Sequence, residues 1–178
     1  TYLDFLQGYR YDPTEVTIEQ NGTELKVSIE GFWYRTILWE VPIMALICEL
    51  FYQETNQIRQ SDEMVIQTVE DKISKYRNLN IVFAEFGTRR RHSFNVHDLV
   101  VRTLKEKGEG TFIGTSNVHL AMKYKTKPIG THAHEWFMFH GAQYGYKQAN
   151  YMALENWVNV YDGDLGIALS DTYTTGVF

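Results

Sequence analysis

Apolar and polar positions alternate on either side of Asn21-Gly22, with Val16 and Ile18 before the pair and Leu25, Val27 and Ile29 after it. Successive side chains of a strand point to opposite faces, and Asn-Gly accepts the positive φ angles of a two-residue turn, so this pattern predicts a hairpin with one buried face. Two strands alone are marginal in water, so the hairpin needs a larger sheet to pack on. After "GFWYRT" the rhythm lengthens, and the apolar stretch from about Ile37 to Glu54 predicts a largely buried helix in which Pro42 is tolerated if it falls in the first turn. Ser61-Asp62-Glu63 reads as a helix start leading into Met64, Ile66, Val69 and Ile73 at helical spacing.

From there the pattern changes again. "NIVFAEFG", "GTFIGT", "KPIGT" and "DLGIALSD" are short apolar runs, separated by stretches with helical character over residues 93–107, 116–125, 133–144 and 148–160. Strands alternating with helices predict βα units, hence an α/β protein with a parallel sheet or barrel. Gly87-Thr88, Gly114-Thr115 and Gly130-Thr131 each stand where a strand ends and a helix is about to begin. In a parallel α/β fold the carboxyl ends of the strands face one crevice, so three such turns would converge on a ligand site.

Composition narrows the partners. The 178 residues carry 17 Lys and Arg against 22 Asp and Glu, a net charge of -5, which argues against a nucleic-acid binder that relies on phosphate neutralisation. Cys48 is the single cysteine, so no intrachain disulfide can form, and its apolar surroundings suggest a small buried hydrophobe in a reducing, cytoplasmic compartment. Glu40, Pro42 and Glu49 interrupt the longest apolar run, which therefore reads as a core helix rather than a bilayer span. The chain opens on Thr1 and closes in mid-pattern after "LSDTYTTGVF", so an excerpt of a longer protein is expected.

The turns suggest an anion site. Helix N-termini offer unpaired N–H groups and the positive end of the helix dipole, and the first turn continues into three arginines, "GTRRRHS". The planar fork of Arg89 suits a carboxylate or phosphate, whereas Arg90 and Arg91 are equally well read as solvated charges at a helix start. "GTHAHEWFMFH" gathers His132, His134, Glu135 and His140, which could hold a metal, pack in a core or carry a chemical group. Spacing disfavours a metal: no "HExxH" is present, and on a helix His140 is off the i, i+4 face of His134. His134 could instead be a nucleophile toward phosphorus or a proton carrier. Asp171 could accept a bond from one ring nitrogen and leave the other free, or it could cap a helix.

"LWEVP", "FGTRRRHS", "GTSNVHLA", "GTHAHEWF" and "LGIALSDT", in this order and spacing, closely resemble the bacterial nicotinate phosphoribosyltransferase family. The resemblance runs from the "YDPTEVTI" hairpin to the end of the chain. It implies the end of an N-terminal α/β sandwich domain over residues 1–36, then the first part of an irregular α/β barrel of the type II phosphoribosyltransferase kind over 37–178. It also implies transfer of phosphoribosyl from phosphoribosyl pyrophosphate to nicotinate in NAD salvage, with Mg²⁺ on the pyrophosphate and ATP hydrolysis coupled through a phosphohistidine. Carried over by motif, the phosphorylated residue is His134, supported by Asp171, while His132 holds a variable position without a role. Phe86 is the stacking wall for the pyridine, Arg89 contacts base or phosphate, and Thr131 touches nicotinate. Ser116 stands where nicotinamide-using relatives have an aspartate, and a hydroxyl, unlike a carboxylate, does not repel nicotinate. Sites in that family can draw on residues across a dimer interface, so a homodimer is implied, and glycine-rich phosphate loops are expected beyond Phe178. Alternatives in view are a nicotinamide- or quinolinate-using enzyme, a non-catalytic barrel that binds a phosphorylated ligand, and a metal-dependent hydrolase.

Overall fold

The computed structural model describes residues 2–162 and 167–178, which form a mixed α/β structure. A short helix, α1 (Tyr2–Gly8), leads to the hairpin of β1 (Val16–Asn21) and β2 (Glu24–Ile29). Asn21 pairs with Glu24, so the two-residue turn is Gly22-Thr23, one position later than expected, with Gly22 at φ +60. Among the described residues no third strand joins the hairpin. Its apolar face is therefore only partly covered: Val27 and Ile29 face Trp33, Ile37 and Ile43, whereas Ile18 and Leu25 are exposed.

Helix α2 (Trp33–Thr36) passes through a 3₁₀ turn (Ile37–Trp39) into α3 (Glu40–Glu54), with Pro42 inside the first turn, where its missing N–H costs nothing. Trp33–Glu54 is long and apolar enough to cross a membrane by length and composition. Two of its carboxylates are committed within the protein: Glu40 pairs with Arg89, and Glu49 lies 3.8 Å from Arg91 and accepts from the backbone N–H of Phe94 at 3.0 Å. These bonds clamp α3 onto the "GTRRR" turn. The expected burial of α3 holds only for Ala45; Val41, Met44, Leu46, Leu50 and Phe51 are exposed.

Ser61 caps α4 (Asp62–Asn78) by accepting from the Met64 N–H. The buried face is Val65, Val69 and Ile73 rather than the Met64 face, because only the i, i+4, i+8 row meets α5 (Phe94–Lys107). Val69, Ile73 and Leu104 form the core there, with Phe83, Val100 and Phe112 against it. β3 (Phe83–Glu85) and β4 (Phe112–Thr115) pair in parallel, as the alternating pattern predicts, and lay Phe83 and Phe112 against this core.

"KPIGT" is not a strand of its own. It contributes a parallel bridge between Thr115 and Pro128, in which the Thr115 N–H donates to Lys127 and the Ile129 N–H to Thr115. Pro128 fits because the donors of this ladder come from its neighbours. The run "DLGIALSD" begins within residues 163–166, outside the described residues; Ile167 makes a further parallel bridge with Thr131. Helix α6 (Val118–Lys123) follows β4, and α7 (His134–Tyr144) packs closely on α8 (Tyr146–Tyr161).

Candidate functional site

The three Gly-Thr turns converge on one cleft of about 580 Å³, lined among others by Phe86, Arg89, Ser116, Thr131 and His134. Each turn reaches it by a different local cause. Gly114 sits at φ +153, and a Cβ there would lie 2.2 Å from the Lys127 carbonyl, so glycine lets β4 approach the next segment. Gly87 has an ordinary backbone, but a Cβ there would lie 2.6 Å from Glu85 Oε1. At Gly130 a Cβ would meet nothing within 4 Å, so this turn alone leaves open room beside the backbone.

The threonine hydroxyls of these turns are partly spent inside the protein. Thr115 is fully buried and donates to Glu85 Oε2 at 2.5 Å; Thr131 donates to the His132 carbonyl at 2.9 Å. Thr88 accepts from Asn117 Nδ2 at 3.2 Å, which leaves its own proton available. Asn117 also caps α6 through its side-chain oxygen, so one residue ties two turns together.

The arginines divide. Arg89 lines the cleft but is paired with Glu40, a partner that sequence spacing could not reveal across 49 residues. Arg90 also lines the cleft. Arg91, expected as a solvated charge or a ligand contact, does neither: it lies over the Phe94 ring at 5.2 Å and faces Glu49. Cys48 is half-buried, and its thiol reaches the Arg89 carbonyl at 3.4 Å. Phe86 lines the cleft and is 46% exposed.

The histidines point in different directions. His140 is buried, and its Nδ1 faces the Trp136 carbonyl at 2.7 Å while Nε2 faces Asn156 Nδ2 at 2.9 Å. A carbonyl only accepts, so Nδ1 donates to Trp136 while Nε2 meets the Asn156 amide: both ring nitrogens are engaged in structural contacts. His132 forms part of the cleft wall, is 3% exposed, and packs edge-on against Trp157 and Phe137; burial lowers its pKa. His134 is the exposed one. It opens α7, where no side chain caps the first turn and the free N–H groups favour negative charge beside it.

Around His134, Thr172 Oγ1 lies 3.1 Å from Nδ1, and Asp171 Oδ1 lies 4.0 Å from Nε2. The nearer partner is thus Thr172, not Asp171, which stands beyond direct hydrogen-bond distance. Both are set in place by Tyr173, whose hydroxyl donates to the Phe137 carbonyl at 3.1 Å and would collide with any Cβ on Gly141. The sequence carried a trace of Thr172, next to Asp171 in "LSDT", but nothing to show that it reaches the ring.

Relatives place this geometry. The model of the nicotinate phosphoribosyltransferase (NAPRTase) family matches residues 81–178, and that of the family's N-terminal domain matches residues 1–48. The chain belongs to the nicotinate phosphoribosyltransferase family. Over its full length it is 60% identical to nicotinate phosphoribosyltransferase of Chromohalobacter salexigens, of which it covers 46%. Over 99% of its length it is 43% identical to the same-named protein of Methanosarcina acetivorans, covering 47% of it. The crystal structure of nicotinate phosphoribosyltransferase from Porphyromonas gingivalis superposes with a TM-score of 0.92 at 47% identity, over 99% of this chain and 45% of that one. The enzyme of that name from Vibrio cholerae gives a TM-score of 0.86 at 34% identity, over 99% and 44% of the two chains. The chain therefore spans about half the length of the nicotinate phosphoribosyltransferases it matches.

Proposed function

We propose that in its full-length protein this chain holds the base and the phosphate-carrying histidine of a nicotinate phosphoribosyltransferase: nicotinate and phosphoribosyl pyrophosphate give nicotinate mononucleotide and pyrophosphate in NAD salvage, with ATP spent through phospho-His134. The observation that carries the reading is the meeting of Phe86, Arg89, Ser116, Thr131 and His134 on one cleft at the ends of parallel strands. We further propose residues 1–36 as the end of an α/β sandwich domain, 37–178 as the first part of an irregular type II barrel, a homodimer and a cytoplasmic setting. The successive parallel contacts from β3 to β4 to residue 128 are what a barrel wall requires.

Phosphoribosyl transfer breaks the C1–O bond to pyrophosphate while positive charge grows on the ribose ring, so the base must be held with its ring nitrogen in line with C1. Phe86 supplies a stacking face, and Thr131 and Ser116 supply hydroxyls near the carboxylate. Arg89 and Arg90 offset negative charge in the cleft. In the ATP step a ring nitrogen of His134 attacks the γ-phosphorus, ADP leaves with the bond electrons, and the phosphoimidazole is later hydrolysed to inorganic phosphate. Thr172 on Nδ1 fixes the ring, and the Asp171 carboxylate lies 4.0 Å from Nε2. Mg²⁺ would come with the substrate phosphates, whose charge it would offset. The Ser116 hydroxyl favours nicotinate over nicotinamide as the base.

The test uses the full-length protein. Nicotinate-dependent release of pyrophosphate from phosphoribosyl pyrophosphate is expected, and γ-labelled ATP should leave an acid-labile, base-stable phosphate on His134. Label mapped to another residue, or undiminished in His134→Ala, would remove the phosphohistidine from the reading.

A further inference from the structure

Glu85 ends β3 and does not line the cleft, yet it holds together two of the turns that do. Its side chain is 10% exposed, and two donors reach it: the Gly87 N–H bonds to Oε1 and the Thr115 hydroxyl to Oε2 at 2.5 Å, while the His97 ring lies alongside with Nε2 3.0 Å from Oε2 but without hydrogen-bond alignment. The Glu85 carbonyl takes the Ser116 N–H at 2.8 Å, and Thr115 Oγ1 in turn accepts from the Asn117 N–H at 3.1 Å. Burial pushes the Glu85 carboxyl up, but the nearby His97 ring and the Thr115 hydroxyl outweigh it and leave the group below the usual carboxylate range. Gly87 makes the same point from the backbone side. Its φ of -82 suits any residue, and a Cβ there would come within 2.6 Å of Glu85 Oε1, so a side chain at this position would displace the carboxylate from its bonds.

Resting on the function proposed above, we infer that Glu85 is a positioning residue. Its carboxylate locks the turn bearing Phe86 and Arg89 to the turn bearing Ser116, and so sets the width of the nicotinate slot. An acceptor-only group is required, because a glutamine there would turn an NH₂ toward one of these donors. Thr115 is the second half of the lock.

In the full-length protein, Glu85→Gln and Thr115→Val should loosen both turns at once. Amide hydrogen exchange over residues 86–91 and 115–118 should rise together by about tenfold. KM for nicotinate should rise by about tenfold with kcat changed far less, since a lost slot geometry weakens ground-state and transition-state binding alike. A merely destabilising change would lower the folded fraction, and with it kcat, while leaving KM alone. Thr115→Ser, which keeps the hydroxyl, should restore both readouts. Faster exchange confined to residues 115–118, an unchanged KM with loosened turns, or a Thr115→Ser protein that behaves like Thr115→Val would each overturn the inference. If Glu85→Gln does not fold, the Thr115 pair decides. A wild-type protein without nicotinate-dependent pyrophosphate release would count against the proposed function, while the exchange result would still judge the lock.

Discussion

His132, His134 and His140 lie within nine residues of each other, and their chemistry is assigned by what each ring meets. His140 has both nitrogens paired inside the protein, His132 is enclosed by aromatic edges, and His134 faces the cleft beside Thr172 and Asp171. At this scale we expect Thr172→Val to cut the rate of His134 labelling by ATP by about tenfold or more, because the ring loses the bond that orients it. Labelling at the wild-type rate would leave Thr172 without a part in the phosphate step. Ser116→Asp should raise KM for nicotinate by about a hundredfold or more by placing like charges together, and should favour nicotinamide. Steady-state kinetics with both bases check it, and unchanged kinetics would take Ser116 out of the slot. Motif order made these residues legible; Thr172 and Glu40 escaped because their partners are distant in sequence.

At the scale of elements, the site depends on two clamps. Glu49 accepts from the Phe94 N–H at the start of α5 and faces Arg91, which joins α3 to the arginine turn. Removing a partly buried acceptor of this kind costs about 1–3 kcal/mol, so Glu49→Ala should lower the urea midpoint of the full-length protein and leave the slope unchanged. The second clamp is Tyr173 against Gly141 on α7. Gly141→Ala should cost about 1–3 kcal/mol by overpacking and should also slow His134 labelling, because the tyrosine that seats Thr172 is pushed away. Stability measured by urea unfolding and labelling measured with ATP should fall together in this variant. Helices, the hairpin and the parallel strands β3 and β4 were readable from apolar spacing, caps and turn residues. That "KPIGT" makes only an isolated bridge through Pro128 was not, since such a bridge has no periodic signature.

Across the whole molecule, acid acts on two buried groups in the same direction. His132, held below its ordinary 6.5 by burial, resists a proton that the unfolded chain accepts, so stability falls as pH drops below about 6.5. Glu85, held below its ordinary 4.5, contributes stability that is present above that value and is lost as pH falls through the lower folded pKa. Urea midpoints should therefore rise from about pH 4 to about pH 7, and His132→Phe should flatten the upper part of that rise. A slope unaltered by His132→Phe would show that another group carries it.

The sequence by itself determined the helices, the hairpin, the βα alternation and the compound motifs, because hydrophobic period, caps and turn residues act within a few positions. Only the tertiary structure decided which members of each motif reach the cleft. Arg89 meets Glu40, Arg91 folds back on Phe94, Thr115 turns inward to Glu85, and Thr172 reaches His134. Each of these is a contact between separate elements or a turn folded back on its neighbour, set by how the strands register and the helices pack, which local spacing does not encode.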